Sequence, residues 1–220
     1  MNNPENRPPM NRIIIFDLDG TLIDSRKDLW NAMNLTRAEF GLPPLPLETV
    51  VQNLGDGIVN LMKRSFSDAP FPVDLDTVVA ANKRHYGAHL LDSTVPYPGV
   101  PETLEKLKTA YKLAVVTNKQ DVNARAILAG LDLLKYMDTV VGGGRTLSLK
   151  PDPEPLELAM AETDSGKDGS WMVGDHRTDL GAAVNTGING CFCSFGFGRR
   201  DGQPADLVID SFSQLADFLL

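Results

Sequence analysis

The chain has 220 residues, 42% of them hydrophobic and 23% charged, which is typical of a globular protein with a substantial core. Its formal charge of −8 is not offset by any basic segment, so we expect neither nucleic-acid binding nor binding to anionic membranes. No apolar run approaches the ~20 residues of a membrane span. Residues 1–11 are polar and lack the apolar segment of a secretory signal, so we expect a flexible leader and a cytoplasmic protein.

The first predicted strand, Ile13–Phe16, leads directly into a pair of carboxylates. Three of its four residues are β-branched, which favours a buried strand, and Asp17-Leu18-Asp19-Gly20-Thr21 follows. Two acids at a strand end, followed by Gly and a hydroxyl, are suited to holding a divalent cation and a phosphate. An ordinary acidic turn is the alternative, because Asp and Gly are common turn residues.

The next segment is predicted to be entirely helical. Ser25 with Asp28 is typical of a helix N-cap, and apolar residues then recur at helical spacing. Two further helices are predicted over 58–66 and 73–91, and no strand pattern occurs between residues 24 and 92. This block therefore reads as an all-helical insertion.

Strands and helices alternate in the remainder of the chain. Strands are predicted at 113–116, 139–141, 171–173, 191–193 and 207–209, with helices between them. This order implies right-handed crossovers and a parallel sheet. The predicted fold class is α/β: a doubly wound, Rossmann-like parallel sheet core from residues 12–22 and 96–220, interrupted by an all-helical cap domain over 23–95 with its linkers.

Chemically selective residues follow three of these strands. Ligands bind outside the carboxyl ends of the strands in an open parallel sheet, so groups distant in sequence should meet at this edge. The groups in question are Asp17 and Asp19, Thr117-Asn118-Lys119, Gly174-Asp175 with Asp179, and the intervening Lys150. Each also has a simpler interpretation. Thr117-Asn118 could cap the next helix, Lys150 could be a solvated lysine, and Asp179 an ordinary first-turn acid.

The two cysteines, Cys191 and Cys193, lie one residue apart and would share a face of a strand. A zinc site would need two further ligands, and none is apparent in the sequence. We expect buried, reduced thiols.

Together these motifs resemble those of the haloacid dehalogenase superfamily, in its phosphatase branch. They occur in the order found in that family, and the resemblance covers nearly the whole chain from Arg12. The resemblance implies that Asp17 is a nucleophile and Asp19 a general acid/base. It implies further that Thr117, Asn118 and Lys150 bind the phosphoryl group, with Lys150 also steadying Asp17. The implied Mg²⁺ site consists of Asp17, Asp19, Asp175 and Asp179, and the helical insertion would cover the site as a cap.

Three further stretches resemble phosphoglycolate phosphatases: the cap loop from Asn53 to Gly57, Tyr97-Pro98-Gly99-Val100, and residues 113–119. This implies hydrolysis of 2-phosphoglycolate, with the small acid contacted by Gly55, Asp56 and Gly57. His176 departs from the pattern, because this branch commonly has a small hydroxyl residue after the acid of its fourth motif.

The sequence is compatible with other functions as well. Asp19 argues against a dehalogenase, which lacks the second acid. The substrate could instead be a sugar phosphate, N-acetylmuramate 6-phosphate or pyrophosphate. A sugar-phosphate mutase uses the same core, and an inactive phosphate-binding regulatory module is the non-enzymatic alternative. The expected partner is a small phosphorylated metabolite, and the chain could be a monomer or a homodimer.

Overall fold

A computed structural model of the chain describes residues 11–220, so most of the predicted leader lies outside the described residues. The strands are β1 Ile13–Phe16, β2 Ile23–Asp24, β3 Val95–Pro96, β4 Lys112–Gln120, β5 Thr139–Gly143, β6 Trp171–Gly174, β7 Asn189–Cys193 and β8 Leu207–Ile209. The helices are α1 Arg26–Glu39, α2 Leu47–Gln52, α3 Ile58–Ser65, α4 Leu75–Ala88, α5 Val100–Leu107, α6 Asp121–Gly130, α7 Glu154–Glu162, α8 Arg177–Thr186 and α9 Gln214–Leu219, with a short 3-10 helix at Leu134–Tyr136.

Six of the strands form one parallel sheet in the order β5-β4-β1-β6-β7-β8. Strand β1 lies in the middle, with Ile14 opposite Leu113 of β4 on one side and opposite Trp171 of β6 on the other. The chain builds outward from β1 in one direction and then in the other, which creates a crevice at the carboxyl end of β1. The predicted doubly wound α/β core is confirmed.

Both faces of β1 are buried, which explains its uninterrupted apolar sequence. Ile14 and Phe16 contribute to one apolar cluster, whereas Ile13 and Ile15 contribute to a second on the opposite face. Each such side chain contributes about 1.5–3 kcal/mol on full burial. Strand β1 is thus held from both sides, and the residues that follow it are firmly positioned.

The inserted block contains only helices between residues 26 and 88, as predicted, and has its own apolar cluster. Arg37 is fully buried beneath it, where its guanidinium donates to Asp68 and to the main-chain carbonyls of Pro43 and Ser65. Helix α2 was not predicted, because only Val50 of its six residues is buried and such a short helix leaves no clear periodicity.

The two linkers of the insertion pair with each other, because β2 and β3 form a separate antiparallel ribbon. Asp28 reinforces this ribbon by accepting hydrogen bonds from the main-chain N–H groups of Ser93 and Thr94 and from the Thr94 hydroxyl. The prediction that the side chains of Ser25 and Asp28 cap helix α1 is therefore wrong. Ser25 occupies the N-cap position of α1, but its hydroxyl donates to Asp19. We propose the boundaries 12–22 and 96–220 for the core and 23–95 for the cap on this basis.

None of the helices between residues 11 and 220 combines the length and the apolar character that crossing a membrane requires.

Cys191 and Cys193 are both buried on the same face of β7 and form no disulfide. Burial raises the pKa of the Cys191 thiol to about 12 and the pKa of the Cys193 thiol well above its usual value. Because the thiolate is the reactive species, these cysteines should be inert in the folded protein.

We therefore predict that neither cysteine reacts with iodoacetamide at pH 8 in the native state, and that both react once the protein is unfolded in guanidinium chloride. Mass spectrometry after timed alkylation measures this directly. Rapid native-state labelling of either thiol would contradict the burial of Cys191 and Cys193 in β7.

Candidate active site

Asp17 lies immediately after β1 and is held there by Lys150. Its main-chain N–H donates to the Val173 carbonyl at 2.9 Å, extending the pairing of β1 with β6 by one residue. The Lys150 ammonium donates to Asp17 Oδ1 at 2.7 Å, to Asp179 Oδ1 at 2.7 Å and to the Val116 carbonyl at 2.6 Å. Lys150 is therefore not a solvated lysine, since all three of its N–H groups are used and its side chain is 1% exposed.

Three carboxylates, those of Asp17, Asp175 and Asp179, form a buried cluster with oxygen atoms within 4.8 Å of one another. Burial raises the pKa of Asp17 to about 6, although Lys150 opposes this rise. Burial, together with repulsion from the other two carboxylates, also raises the pKa of Asp175 well above its usual value. Asp175 is held by the main-chain N–H groups of Phe197 and Gly198.

This cluster suits a divalent cation. Three carboxylates face the single Lys150 ammonium, so negative charge is in excess, and carboxylate oxygens are the ligands preferred by hard divalent cations. The backbone also requires glycine here. A Cβ on Gly20, whose φ is +88°, would lie 2.0 Å from Asp175 Oδ2, so no other residue permits this approach.

Thr117 and Asn118 lie at the carboxyl end of β4 and do not cap helix α6, whose N-cap is Gln120. Asn118 accepts a hydrogen bond from the Lys150 main-chain N–H and donates both to the Lys150 carbonyl and to the Gly55 carbonyl of the cap. Thr117 is buried and accepts from the Lys119 main-chain N–H. Asn118 thus positions the Lys150 loop and at the same time contacts the cap.

The Asp19 carboxylate is turned away from the acidic cluster. Its two oxygens accept hydrogen bonds from the Lys119 ammonium at 2.7 and 2.6 Å, and Ser25 Oγ donates to Oδ1 at 2.5 Å. Lys119 also donates to the Tyr86 hydroxyl at 2.6 Å. Burial acts to lower the pKa of Lys119, but the adjacent Asp19 carboxylate outweighs it and the pKa is raised. The ammonium therefore stays charged.

Sequence reasoning did not assign a role to Lys119 or Tyr86. The position of Lys119 at the end of β4, beside two predicted site residues, was the available signal for the lysine. Tyr86 carried no comparable signal, because its contact depends on how the cap lies against the core.

The cap loop of Gly55, Asp56 and Gly57 lies against the core at the cavity mouth. Asp56 accepts hydrogen bonds at 2.5 Å from Arg64 of the cap and from Arg177 of the core. Burial opposes ionisation of Asp56, but these two arginines outweigh it and lower its pKa. Asp56 therefore joins cap and core through an ionic contact.

His176, the departure from the family pattern, fills the space behind this loop. A Cβ on Gly55, whose φ is +102°, would lie 2.6 Å from the His176 ring. The ring accepts from the Thr178 N–H at the start of α8, while Asp179 accepts from the His176 N–H. Burial lowers the pKa of His176, which favours the neutral ring. His176 thus acts as a helix cap and as a packing surface for the cap loop.

A cavity of about 380 Å³ lies between the cap and the sheet edge and is lined by every predicted site residue. Six carboxylates and six cations line it, and the cations are Arg64, Lys83, Lys119, Lys150, Arg177 and Arg199. The lining charges cancel, so a bound divalent cation would leave a positive excess that suits a small anion.

Residues 14–193 match the family model described as haloacid dehalogenase-like hydrolase. The chain belongs to this family. It is 38% identical over 205 residues to a phosphoglycolate phosphatase of Caulobacter vibrioides, covering 90% of this chain and 86% of the relative. It is 35% identical over 212 residues to a plasmid-encoded phosphoglycolate phosphatase of Cupriavidus necator, covering 94% and 92%.

A solved structure from Haemophilus somnus, described as a predicted phosphoglycolate phosphatase, superposes with a TM-score of 0.90 at 26% identity. It covers 96% of this chain and 99% of its own. The sequence-based assignment to this superfamily is therefore confirmed, and the chain is an enzyme of the hydrolase class that its relatives represent.

We predict that Asp175→Asn weakens binding of a divalent cation at least about tenfold, because it removes one of three clustered charges. The variant without metal should be at least as stable as the parent, since repulsion within the cluster falls. Titration calorimetry with MgCl₂ and thermal unfolding without metal measure the two effects. Asp217→Asn, an exposed carboxylate on α9, is the control. Unchanged cation affinity in Asp175→Asn would contradict the assignment.

Proposed function

We propose that the protein is a Mg²⁺-dependent phosphomonoester hydrolase that acts through an aspartyl-phosphate on Asp17, with 2-phosphoglycolate as its substrate. The observation that carries this proposal is the position of Asp17 within a buried carboxylate cluster, hydrogen-bonded to Lys150 and open to the cavity. The names of the curated relatives support the choice of substrate.

The first chemical step is attack by Asp17 on phosphorus. Lys150 engages Oδ1, which leaves Oδ2 as the attacking oxygen. A carboxylate and a phosphate dianion repel each other, so nearby positive charge is required. Lys150 supplies part of it and Thr117 offers a hydroxyl to the phosphoryl group. The bond from phosphorus to the glycolate oxygen breaks as the bond to Asp17 forms.

Asp17, Asp175 and Asp179 would hold the cation, which when bound would offset negative charge on the phosphoryl group. Asp19 belongs to the predicted ligand set as well. Because its carboxylate is held by Lys119 and Ser25, its main-chain carbonyl is the group it can offer. Mg²⁺ usually keeps several waters and needs few protein ligands.

Asp19 is the proposed general acid and base. It would donate a proton to the departing glycolate oxygen and then accept one from the water that attacks the phosphorylated Asp17. Hydrolysis releases phosphate and restores the Asp17 carboxylate and the protonated Asp19. General acid–base catalysis of this kind contributes typically ~10²–10⁴-fold.

A small substrate with a second negative charge suits the cavity. Four of its six cations are paired with carboxylates: Arg64 and Arg177 with Asp56, Lys119 with Asp19, and Lys150 with Asp17. Within residues 11–220, Lys83 and Arg199 line the cavity with no carboxylate in ion-pair contact. The carboxylate of 2-phosphoglycolate could pair with Lys83 of the cap, while its phosphoryl group lies at Asp17.

We predict that Asp17→Asn lowers turnover by about 10⁴-fold or more, because the amide is no nucleophile. Phosphate release should be measured on 2-phosphoglycolate, hexose phosphates, N-acetylmuramate 6-phosphate and pyrophosphate, with Mg²⁺ and with EDTA. The parent should act fastest on 2-phosphoglycolate and only with the metal, and circular dichroism should show that the variant is folded.

Substantial activity in Asp17→Asn would contradict the covalent route. Faster release of phosphate from another compound would support the same chemistry but assign a different substrate. If the folded parent released no phosphate from any compound, a mutase or a binding module would be favoured instead.

We further predict that Lys83→Met lowers kcat/KM for 2-phosphoglycolate by roughly 10–100-fold, since a hydrogen bond to a charged group contributes about 1.5–3 kcal/mol. Ethyl phosphate, which has no carboxylate, should be hydrolysed within about twofold of the parent rate by this variant. Lys63→Met is the matched control, because Lys63 is exposed on the cap helix α3 and does not line the cavity. Equal losses on both esters would contradict a role for Lys83 in recognising the carboxylate.

A further inference from the structure

Lys119 connects the proposed acid/base to the cap. Its three N–H groups are all used: two donate to the oxygens of Asp19 and one to the Tyr86 hydroxyl. Its side chain is 6% exposed, and its ammonium lies 4.6 Å from the centre of the Tyr86 ring. An ammonium with all three donors occupied has little freedom of orientation.

These groups come from different parts of the fold. Asp19 follows β1 and Lys119 lies at the end of β4, so both belong to the central sheet. Tyr86 lies on α4 of the cap, and the other partner of Asp19, Ser25, lies where the first linker enters α1. The Asp19 carboxylate is therefore held by one core residue and one linker residue, and the core residue is itself bound by the cap.

Besides the linker residue Ser25, which donates to Asp19 directly, two other polar contacts among residues 11–220 join the cap to the core at the cavity, and neither reaches Asp19. Asp56 pairs with Arg177, and the Gly55 carbonyl accepts from Asn118. Among residues 11–220, the hydrogen bond between Tyr86 and Lys119 is the polar contact of a cap helix that connects to Asp19, because Lys119 itself donates to the Asp19 carboxylate. A cap that moved away would remove the Tyr86 hydroxyl from a buried ammonium and leave one N–H without its partner.

We propose that Lys119 is a positioning residue that makes the orientation of the Asp19 carboxylate depend on cap closure. The link is the hydrogen bond from Lys119 to the Tyr86 hydroxyl, which requires the closed cap. This rests on the proposed function, in which Asp19 protonates the leaving oxygen. With the cap closed, Tyr86 and Asp19 hold the ammonium between them, and Lys119 and Ser25 together fix the Asp19 carboxylate. With the cap open, Lys119 loses one of its three partners and the carboxylate is less constrained. Proton donation is thereby restricted to the closed, substrate-bound enzyme.

The choice of leaving group separates this role from general support of the fold. An alkyl phosphate needs its departing oxygen protonated, whereas p-nitrophenyl phosphate expels a stable phenolate and needs little assistance. A loosely held Asp19 should therefore lower kcat/KM selectively for ethyl phosphate and 2-phosphoglycolate. This parameter reports the steps up to departure of the leaving group and excludes the later hydrolysis, in which Asp19 acts for every ester. A misfolded or loosened site would slow all three esters.

The test compares Tyr86→Phe with the parent enzyme and Mg²⁺ on ethyl phosphate, 2-phosphoglycolate and p-nitrophenyl phosphate. We expect kcat/KM on the two alkyl esters to fall by roughly tenfold, because small misplacements of a catalytic group are costly. On p-nitrophenyl phosphate, kcat/KM should stay within about twofold of the parent value. Tyr111→Phe is the matched control, since that hydroxyl donates to the Leu219 carbonyl far from the cavity.

Three further variants make the result decisive. Asp19→Asn removes the proposed acid/base and therefore measures the largest difference between alkyl and aryl esters that loss of this group can cause. Arg177→Gln breaks a cap contact that does not reach Asp19, and it should slow alkyl and aryl esters alike. Lys119→Met should reproduce the selective loss of Tyr86→Phe in a stronger form, provided that circular dichroism shows it to be folded.

Suppose that Asp19→Asn loses activity selectively on alkyl esters. Equal losses of activity on alkyl and aryl esters in Tyr86→Phe, or no loss on either, would then overturn this inference and leave the proposed function intact. A selective loss in Arg177→Gln as large as that in Tyr86→Phe would also overturn it, because cap closure in general would then be responsible. If Asp19→Asn showed no leaving-group selectivity, the proposed acid/base role of Asp19 would fail, and this inference would fail with it.

Discussion

The concentration of buried charge at the carboxyl end of β1 is the constraint on which the rest of the site depends. Taking an ionised group out of water costs several kcal/mol unless it is paired and hydrogen-bonded. Here three carboxylates and the Lys150 ammonium lie together at the edge of the sheet. Every neighbouring element helps to offset this cost, from the Val116 carbonyl on Lys150 to the main-chain N–H groups that hold Asp175.

The same constraint explains why backbone packs so tightly around the acids. Gly20 and Gly174 leave room for the carboxylates of Asp175 and Asp179, since a Cβ at either glycine would lie 2.0–2.2 Å from an oxygen. The cap is joined to the core by polar contacts made at the cavity, above all those of Asp56 and Tyr86. The groups proposed to bind substrate and the contacts that join cap and core are therefore close neighbours, and the proposed coupling of cap closure to chemistry depends on this arrangement.

Much of the fold could be predicted because its signals are local. The apolar run of β1, the alternation of strands and helices after residue 96 and the strand-free insertion each depend on short-range periodicity. Helix α2 was not predicted, because only one of its residues is buried and its sequence therefore shows no helical periodicity. The side-chain role of Ser25 was wrongly predicted, because Asp19, folded back beside it, offers the hydroxyl a stronger acceptor than the helix N-terminus does.

The sequence by itself determined which chemical groups arrive at the sheet edge. Asp17 and Asp175 directly follow strands, Thr117 lies in the carboxyl half of β4 and Lys150 lies in the loop after β5. Parallel topology brings these strand ends together. Only the tertiary structure decided how those groups pair. That Lys150 is shared by Asp17 and Asp179, while Asp19 is held by Lys119, depends on distances between separate loops. The partners of Lys119 and Asp56 depend in addition on where the cap helices lie against the core, and no local pattern encodes that placement.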